Sequence, residues 1–491
     1  MATSKPRRRE AMSRVDTAWL RMERPTNPMM ITGVLMFAEP MSLDRLRRVV
    51  KQRFLAYQRF RQKAVHTPTG ASWQDDPHFD LDWHVRLSAL PGRNDRRVSE
   101  KIALERFVSQ LASSPLDKHR PLWQFHLVES YQGGSALVAR IHHSYADGIA
   151  LVQVLLSLTD TARVPGKADA LSKAWLKQEG AAVARRVGAV DRYMKLGGKM
   201  VEQGMAMGMS VYRDPTLAGV LAKEGGEIAR ELVTALALSD DPPSLLRGEL
   251  GVTKRVAWAE ALDLDEVKAV GRACGCTVND VLMAAASGAL REYMRERGAD
   301  VDGMVLRATV PVNLRPLEHA KKLGNHFGLV FLDLPVGEAN PVRRLMHVSN
   351  CMNQLKGSRQ AIVAYGLLAA LGMAPAAVQE VALELFSRKA TAVATNVPGP
   401  QQPLYMAGCA LREMMFWVPQ TGSIGVGMSI MSYNGRVHFG LIADAKLIPD
   451  PDAVVRRFGP EFDKLVYLAL MGSWDHVLDA TAAEALLPTG G

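Results

Sequence analysis

The chain has 491 residues, 48% of them apolar and 22% charged, which are the proportions of a globular protein with ample material for a core. That length is too great for one ordinary core, so we expect two domains of roughly 150–250 residues each. The net charge is +10, but the basic residues are spread out, and no nucleic-acid recognition motif accompanies them. We therefore expect no nucleic-acid partner. The basic balance instead favours anionic partners of another kind.

The cysteines and the apolar stretches indicate a reduced, cytoplasmic setting. The cysteines are too few for a disulfide framework in a chain of this size; they are Cys274, Cys276, Cys351 and Cys409. The basic tip Lys5–Arg9 is not followed by the apolar core of a signal peptide. The uncharged segment Gln360–Gln379 is long enough to cross a bilayer, but it is alanine-rich and is broken by Pro375. We predict a buried or surface-inserting helix there, not a membrane span.

The first predicted domain, residues 1–163, contains alternating strands and helices. A short helix over Val15–Glu23 precedes a strand over Met29–Phe37, and Ser42 caps the next helix. Phe79–Val85 alternates as a half-buried strand does. The elements that follow are a helix over Leu104–Leu111 and strands over Gln124–Glu129 and Ser135–Ile141.

Residues 164–250 differ in composition from their surroundings. Apolar residues recur there at helical spacing and basic residues are available to the polar side. Such a segment either lies on a bilayer or is a crossover linker whose apolar stripe packs on the protein. The sequence leaves both interpretations open.

The second predicted domain, residues 251–491, begins with a strand over Arg255–Glu260. Two helices with capping-box patterns follow, from Asp263 and from Thr277, the latter with Asp280 as the capping partner. A strand over Val305–Val310 comes next. The sheet is then closed by strands over Gly422–Ile430 and Arg436–Ile442 and a final helix from Asp452.

The strand over Ser135–Ile141 and an apolar helix over Gly148–Leu156 enclose a turn that carries His142 and His143. Imidazole takes up and returns a proton near neutral pH, so one of these rings is a candidate general base. We favour His143, because adjacent side chains on extended backbone point to opposite sides, and His142 then supports the loop.

Asp147 and Gly148 complete this turn. Asp147, four residues after His143, orients the ring or anchors the loop through a basic partner, and Gly148 lets the backbone turn tightly into the helix. Two plainer interpretations compete with catalysis: the histidines are satisfied core groups, or His143 and Asp147 bind a metal ion. No third ligand cluster lies nearby, and the cysteines have no paired C-x-x-C spacing. We expect no metal site.

The pattern His-His-x-x-x-Asp-Gly is shared by an acyltransferase superfamily with the chloramphenicol acetyltransferase-like fold. Further motifs follow it in a specific order and spacing: Asn279-Asp280, Pro311–Pro316, Leu323–Gly328 and Asn396–Pro400, with Pro121–Trp123 ahead of it. With these motifs the chain resembles the bacterial wax ester synthase/acyl-CoA:diacylglycerol acyltransferase family. The resemblance runs from about Val15 to about Pro451.

This resemblance implies a two-domain α/β sandwich with the active-site tunnel between the domains. It implies transfer of a long-chain acyl group from acyl-CoA, the co-substrate, to a fatty alcohol or to diacylglycerol, with no bound cofactor. It also fits a cytoplasmic protein that associates peripherally with the inner face of the membrane or with lipid inclusions. Two alternatives stay open: an enzyme of the same fold with another hydroxyl or amine acceptor, and a non-catalytic lipid-body protein. The oligomeric state is undetermined.

Several positions acquire roles through the resemblance. In the wider superfamily an arginine at the place of Arg315 pairs with the motif aspartate, which implies that Arg315 holds Asp147. Glu23 matches an acidic position of the family and is a candidate for the acyl channel, or an exposed carboxylate at a helix end. Trp123 is a packing element first and a substrate contact second.

The asparagine motifs are candidates for the tunnel and for the oxyanion. Asn325 lies in a loop near the channel, and the turn Asn396, Pro398 and Gly399 shapes the tunnel. Asn279 falls in the first turn of the helix from Thr277, where N–H groups and the helix dipole favour anions. It is therefore a candidate hydrogen-bond donor to the tetrahedral oxyanion of acyl transfer. The alternative is a purely structural role in an Asn-Asp pair.

Overall fold

The structure is a computed structural model that describes residues 9–67, 70–90, 98–163, 238–314, 323–358, 360–372 and 376–472. Most of the predicted segment 164–250 and the whole of Arg315 lie outside these residues. The membrane-lying and linker interpretations of that segment, and the role of Arg315, therefore stay predictions.

The described strands number sixteen: β1 Arg9–Ala11, β2 Met30–Phe37, β3 Gln62–Thr67, β4 Gly70–Asp75, β5 Val85–Ser88, β6 Trp123–Tyr131, β7 Gly134–His142, β8 Lys254–Trp258, β9 Leu262–Asp263, β10 Leu306–Asn313, β11 Phe327–Leu334, β12 Ala392–Pro398, β13 Tyr405–Met406, β14 Cys409–Trp417, β15 Val426–Tyr433 and β16 Arg436–Asp444.

The described α-helices are α1 Arg14–Met22, α2 Leu43–Gln52, α3 Leu81–His84, α4 Glu100–Ser113, α5 Gly148–Leu156, α6 Leu264–Ala273, α7 Val278–Arg295, α8 Pro341–Gly357, α9 Gln360–Leu371, α10 Ala376–Ser387, α11 Pro451–Val455 and α12 Phe458–Met471. Among them, none is both long enough and apolar enough to cross a bilayer by itself; α6 and α7 pass that test only as a pair, with a bend of 97° between them.

Two mixed sheets form the body of the molecule. The first has six strands in the order β13-β14-β2-β7-β6-β5, and the second has seven, in the order β11-β10-β12-β15-β16-β8 with β9 beside β16. Strand β7 is buried along its whole length, because β2 and β6 flank it and apolar layers cover both faces. A small sheet, β1-β4-β3, lies at the side of the first half.

The second half of the chain contributes two strands to the first sheet. Strands β13 and β14 belong to the second half of the sequence, yet β14 pairs antiparallel with β2 in the first sheet. Helix α4 of the first half packs against β8, where the Ser113 hydroxyl accepts a hydrogen bond from the Lys254 N–H at 2.8 Å. The domain boundaries at residues 163 and 250 stay a prediction, and this pairing shows that the halves do not divide cleanly there.

Helix starts follow the capping residues that the sequence predicts. Ser42 caps α2, Asp263 caps α6, and Thr277 with Asp280 forms a reciprocal capping box at α7. The predicted strand over Phe79–Val85 is wrong, because the Asp80 side chain accepts a hydrogen bond from the Asp82 N–H and starts the short helix α3. Only Val85 of that segment enters a strand, β5.

The apolar stretch from Gln360 folds as two helices, α9 and α10, of which α9 lies beside the edge strand β11. Gly328 in β11 permits this approach, since a Cβ atom there would lie 1.7 Å from the Ala361 carbonyl oxygen. The prediction of a helix in this stretch is therefore confirmed, although two helices form instead of one. They close one side of the space between the sheets.

Candidate active site

His143 lies at the end of β7, in the turn that leads into α5. Its N–H donates to the Met29 carbonyl at 2.7 Å, and its own carbonyl accepts from the Asn325 side-chain amide at 2.8 Å. Its ring stacks on the Trp19 ring, with centroids 4.1 Å apart, and Phe327 lies on another side at 5.6 Å. The imidazole therefore has a fixed backbone and a fixed ring plane.

One edge of this imidazole lines a cavity between the sheets, which we call the histidine cavity. Its volume is about 700 Å³, including its solvent-filled mouth. Asp147 and Gly148 line it from the same turn, and Asn396 lines it from β12. The side chain of His143 is otherwise enclosed, since only 4% of the residue is exposed. A substrate that fills this cavity contacts the ring directly.

A second space, which we call the apolar cavity, adjoins the first. Its volume is about 870 Å³, including the solvent at its opening, and it lies between the second sheet and helices α9 and α10. The two cavities share four wall residues, which are Trp19, Thr309, Leu329 and Thr421. Beyond them the wall is almost wholly apolar, with Leu367, Leu383 and Phe386 among its members. A long aliphatic chain fits this environment, because its burial removes apolar surface from water.

Burial lowers the pKa of His143 from its ordinary 6.5 to about 4, although the negative charge of Asp147 opposes the shift. A buried imidazolium has lost its hydration, and the nearby carboxylate replaces only part of it. The ring is therefore neutral at physiological pH and able to accept a proton. Its Nδ1 is buried, so Nε2 is the ring nitrogen that a substrate in the cavity can reach.

Asp147 anchors the loop in this structure. One carboxylate oxygen accepts from the Ala150 N–H at 2.9 Å and so caps α5, and the other accepts from the His326 N–H at 3.0 Å. These bonds join the motif turn to the segment that leads into β11. The isolated bridge between Ala146 and Gly324 reinforces the junction. This geometry supports an anchoring role for Asp147.

His142 points away from the cavity into a polar pocket. Its Nε2 lies 2.8 Å from Glu23 Oε2, and its Nδ1 lies 2.8 Å from the Ser144 hydroxyl. Burial alone would raise the pKa of Glu23, but His142, together with Lys118, outweighs it and holds the pKa below its ordinary value. His142 is thus placed to support the turn, and Glu23 lines neither of the two cavities.

Asp16 is a site residue that the sequence analysis missed. Its carboxylate accepts from the Asn325 N–H at 3.0 Å and from the Asn325 side-chain amide at 2.7 Å. That same amide donates to the His143 carbonyl, so Asp16 and Asn325 together hold the backbone of His143. Burial raises the pKa of Asp16 to about 6, against the hydrogen bonds from Ser13 and Asn325. In the sequence, Asp16 has only the pattern of an acidic residue in the first turn of a helix.

Asn279 and Asn396 form a pair at the far wall of the histidine cavity. The Asn396 amide donates to Asn279 Oδ1 at 2.9 Å, and the Asn279 amide is directed at the Met352 sulfur, 3.8 Å away. Asn396 lines the cavity, whereas Asn279 does not. Asn279 therefore acts on the cavity through Asn396, and its neighbour Asp280 is buried in the capping box and accepts from the Ser349 hydroxyl.

Three other predicted tunnel residues lie away from both cavities. Trp123 is fully buried among aromatic rings of the first half, where its Nε1 donates to the Phe60 carbonyl at 2.8 Å. Its packing role is the one that the geometry supports. Pro398 is exposed at the end of β12, and Gly399 lies against β15, with its N–H donating to the Ser432 carbonyl. Of this turn, Asn396 and Val397 line the histidine cavity.

Gly148 has a different function from the one predicted. Its φ is not positive, so the backbone does not require glycine there. A Cβ atom at this position would meet nothing within 4 Å, and the residue lines the histidine cavity. The missing side chain therefore keeps the space beside His143 open.

Replacement of Gly148 by leucine will block this space. We expect kcat/KM of the predicted acyl transfer to fall by at least about tenfold, because the isobutyl group occupies volume that the substrate needs. Gly148→Ala is the matched control and will keep most activity, since one methyl group fits the open space. Steady-state kinetics and thermal melts of both variants check this; full activity in a folded Gly148→Leu protein would contradict it.

Comparisons with known proteins agree with the motifs. The sequence model of the wax ester synthase/diacylglycerol acyltransferase catalytic domain matches residues 12–282, and that of the WS/DGAT C-terminal domain matches residues 323–466. A probable diacylglycerol O-acyltransferase of Mycobacterium tuberculosis is 29% identical over 404 residues, which are 81% of this chain and 81% of that protein.

Solved structures share the fold. The wax ester synthase/diacylglycerol acyltransferase of Marinobacter aquaeolei has a TM-score of 0.64 at 22% identity, over 94% of this chain and 100% of that chain. The first condensation domain of the calcium-dependent antibiotic synthetase has a TM-score of 0.55 at 16% identity, over 97% and 99%. The predicted two-domain chloramphenicol acetyltransferase-like fold is confirmed. Because the catalytic-domain model covers more than half of the sequence, the chain belongs to the wax ester synthase/diacylglycerol acyltransferase family of O-acyltransferases.

Proposed function

We propose that the protein transfers a long-chain acyl group from acyl-CoA to the hydroxyl of a fatty alcohol or of diacylglycerol, with His143 as the general base. The observation that carries this proposal is the position of the imidazole, at the wall of a cavity that shares four wall residues with a second, apolar cavity. Both acceptors have a hydroxyl on an apolar body, which suits such a passage. Family membership supports the reaction type, and the geometry supports the base.

In the proposed step, His143 Nε2 takes the proton of the acceptor hydroxyl while the hydroxyl oxygen attacks the thioester carbonyl carbon. The tetrahedral intermediate then collapses, the carbon–sulfur bond breaks, and the imidazolium returns its proton to the departing thiolate of coenzyme A. The burial that lowers the pKa of His143 makes its imidazolium a stronger acid than that of a solvent-exposed histidine. It therefore gives up its proton readily in the second half of the reaction.

A single assay can test this function against its rivals. Purified protein is given long-chain acyl-CoA with hexadecanol and diolein in competition, and the products and free thiol are measured. We expect wax ester, triacylglycerol or both, and a loss of roughly 10²–10⁴-fold in rate for His143→Ala. His126→Gln, which alters another buried imidazole that lines neither cavity, is the matched control and will retain activity.

Other outcomes of this assay have clear meanings. Thiol release without either ester product would indicate a different hydroxyl or amine acceptor. Equal ester formation by wild type and His143→Ala would remove the general-base role. If the wild type, folded and monodisperse, formed no product and released no thiol, a non-catalytic lipid-body protein would be the better interpretation.

We propose that Asn396, held by Asn279, donates a hydrogen bond to the oxyanion of the tetrahedral intermediate. Loss of such a donor costs about 10²–10³ in kcat. Asn396→Ala is therefore expected to lower kcat by that order with little change in KM, and Asn279→Ala to lower it less, because Asn279 only orients its partner. Steady-state kinetics of both variants measure this difference; an unchanged kcat in Asn396→Ala would exclude the role.

The pH dependence follows from the buried imidazole. A base must be unprotonated, so kcat/KM falls as the pH drops through the pKa of the free enzyme. We expect kcat/KM to stay level from pH 7 to about pH 5 and to decline only toward pH 4, where His143 is protonated. A decline centred at the ordinary histidine value of 6.5 would contradict this assignment.

Asp16 requires a control in this experiment, because its pKa of about 6 falls inside the same range. The variant Asp16→Asn removes that titration and keeps an oxygen that can accept from Asn325. If kcat/KM falls near pH 6 in the wild type and this fall is absent in Asp16→Asn, the titration belongs to Asp16 and not to His143. Circular dichroism at each pH separates both effects from acid unfolding.

Peripheral association with the cytoplasmic face of the membrane or with lipid inclusions stays a prediction. It is supported by the chemistry of the proposed acceptors, which partition into lipid.

A further inference from the structure

Three side chains of different chemistry converge at the outer edge of the second sheet. Asp333 is near the end of strand β11, and His347 and Cys351 lie one turn apart on the same face of helix α8. His347 Nε2 is 3.8 Å from Asp333 Oδ2, and Cys351 Sγ is 3.9 Å from the same oxygen. All three potential ligand atoms lie within 4.8 Å of one another.

We propose that Asp333, His347 and Cys351 form a binding site for a divalent transition metal ion, with Zn²⁺ as the preferred ion. Carboxylate oxygen, imidazole nitrogen and thiolate sulfur are the three ligand types that zinc takes in proteins. The sequence analysis expected no metal, because it looked for ligands near the histidine motif and for paired cysteines. This site is separate from that motif.

The distances suit a tetrahedral ion. Around zinc at bond lengths of about 2.0–2.3 Å, neighbouring ligand atoms are about 3.4–3.6 Å apart. Two of the separations exceed this by only a few tenths of an ångström, and the third, between His347 and Cys351, is within 4.8 Å, so side-chain rotations would bring all three ligands to one ion. All three residues are half-buried, so three protein ligands hold the ion and water completes the fourth position.

The surrounding charges favour a cation. Arg307 is the cross-strand partner of Asp333 in the sheet, but its guanidinium is directed to Asp241 and to the Ser239 carbonyl. Among the described residues, the only ion pair of Asp333 is with His347, which is charged only when protonated. At neutral pH the carboxylate therefore lacks a permanent cationic partner.

The thiol fits the same interpretation. Burial, with the neighbouring carboxylate of Asp333, raises the pKa of Cys351 to about 11. Without a metal ion, Cys351 is thus a protonated and poorly nucleophilic thiol, which argues against a redox or catalytic function.

The site would join α8 to the edge strand β11. The opposite end of β11 carries Phe327 and Leu329, which line the histidine cavity. None of the three proposed ligands lines either cavity. The ion would therefore stabilise the outer wall of the second half and would not take part in acyl transfer.

Metal binding by the full-length protein tests the proposal without an activity assay. After treatment with a chelator, the protein is titrated with Co²⁺ and then with Zn²⁺ in competition. We expect one equivalent of Co²⁺ to produce a sulfur-to-cobalt charge-transfer band in the near ultraviolet, which Zn²⁺ abolishes. Cys351→Ser will lose that band, His347→Gln and Asp333→Asn will weaken binding by at least about tenfold, and Cys276→Ser, the matched control, will behave as wild type.

A second measurement covers the case in which a variant fails to fold. In the wild-type protein, Zn²⁺ should slow alkylation of Cys351 and leave that of Cys276 unchanged, as read from peptide masses. The proposal is overturned if the wild type binds no Co²⁺ or Zn²⁺, if Cys351→Ser retains the charge-transfer band, or if Zn²⁺ protects both thiols equally.

Discussion

The whole site depends on hydrogen bonds that fix the backbone of one histidine from three distant parts of the chain. Met29 binds its N–H, Asn325 binds its carbonyl, and Asp16 holds Asn325 in turn. Because these groups are buried, a missing partner would leave a polar group unsatisfied, at a cost of about 1–3 kcal/mol. The ring of His143 can then be positioned by packing alone, between Trp19 and Phe327.

Burial of this ring has two effects that act in the same direction. It lowers the pKa, which keeps the imidazole neutral, and it places the ring on the boundary between a polar wall and an apolar one. In the proposed reaction, the polar wall, with Asn396, would face the atoms that change charge during acyl transfer. The apolar wall accepts the part of the substrate that does not react. Binding energy from the long chain can thus orient the reacting groups.

Local patterns predicted the elements that carry the site, but not the contacts between them. The strand, turn and helix around His143, and the capping box of Thr277 and Asp280, each follow from a few consecutive residues. Asp16, Glu23 and Asn325 act through partners more than 100 residues away, and a single sequence has no local pattern for such pairs. The error at Phe79–Val85 has a local cause, because the Asp80 cap competed with an alternating pattern and prevailed.

The exchange of β13 and β14 into the first sheet limits how the enzyme can move. A clamshell opening of the two halves about a hinge would have to break the β2–β14 ladder or extend the short connections at residues 399–404 and 418–425. In the proposed reaction, we therefore expect reactants and ester product to enter and leave through the ends of the cavities, without separation of the two halves. The residence time of an apolar product would then depend on how readily helices α9 and α10 move apart at one of those ends.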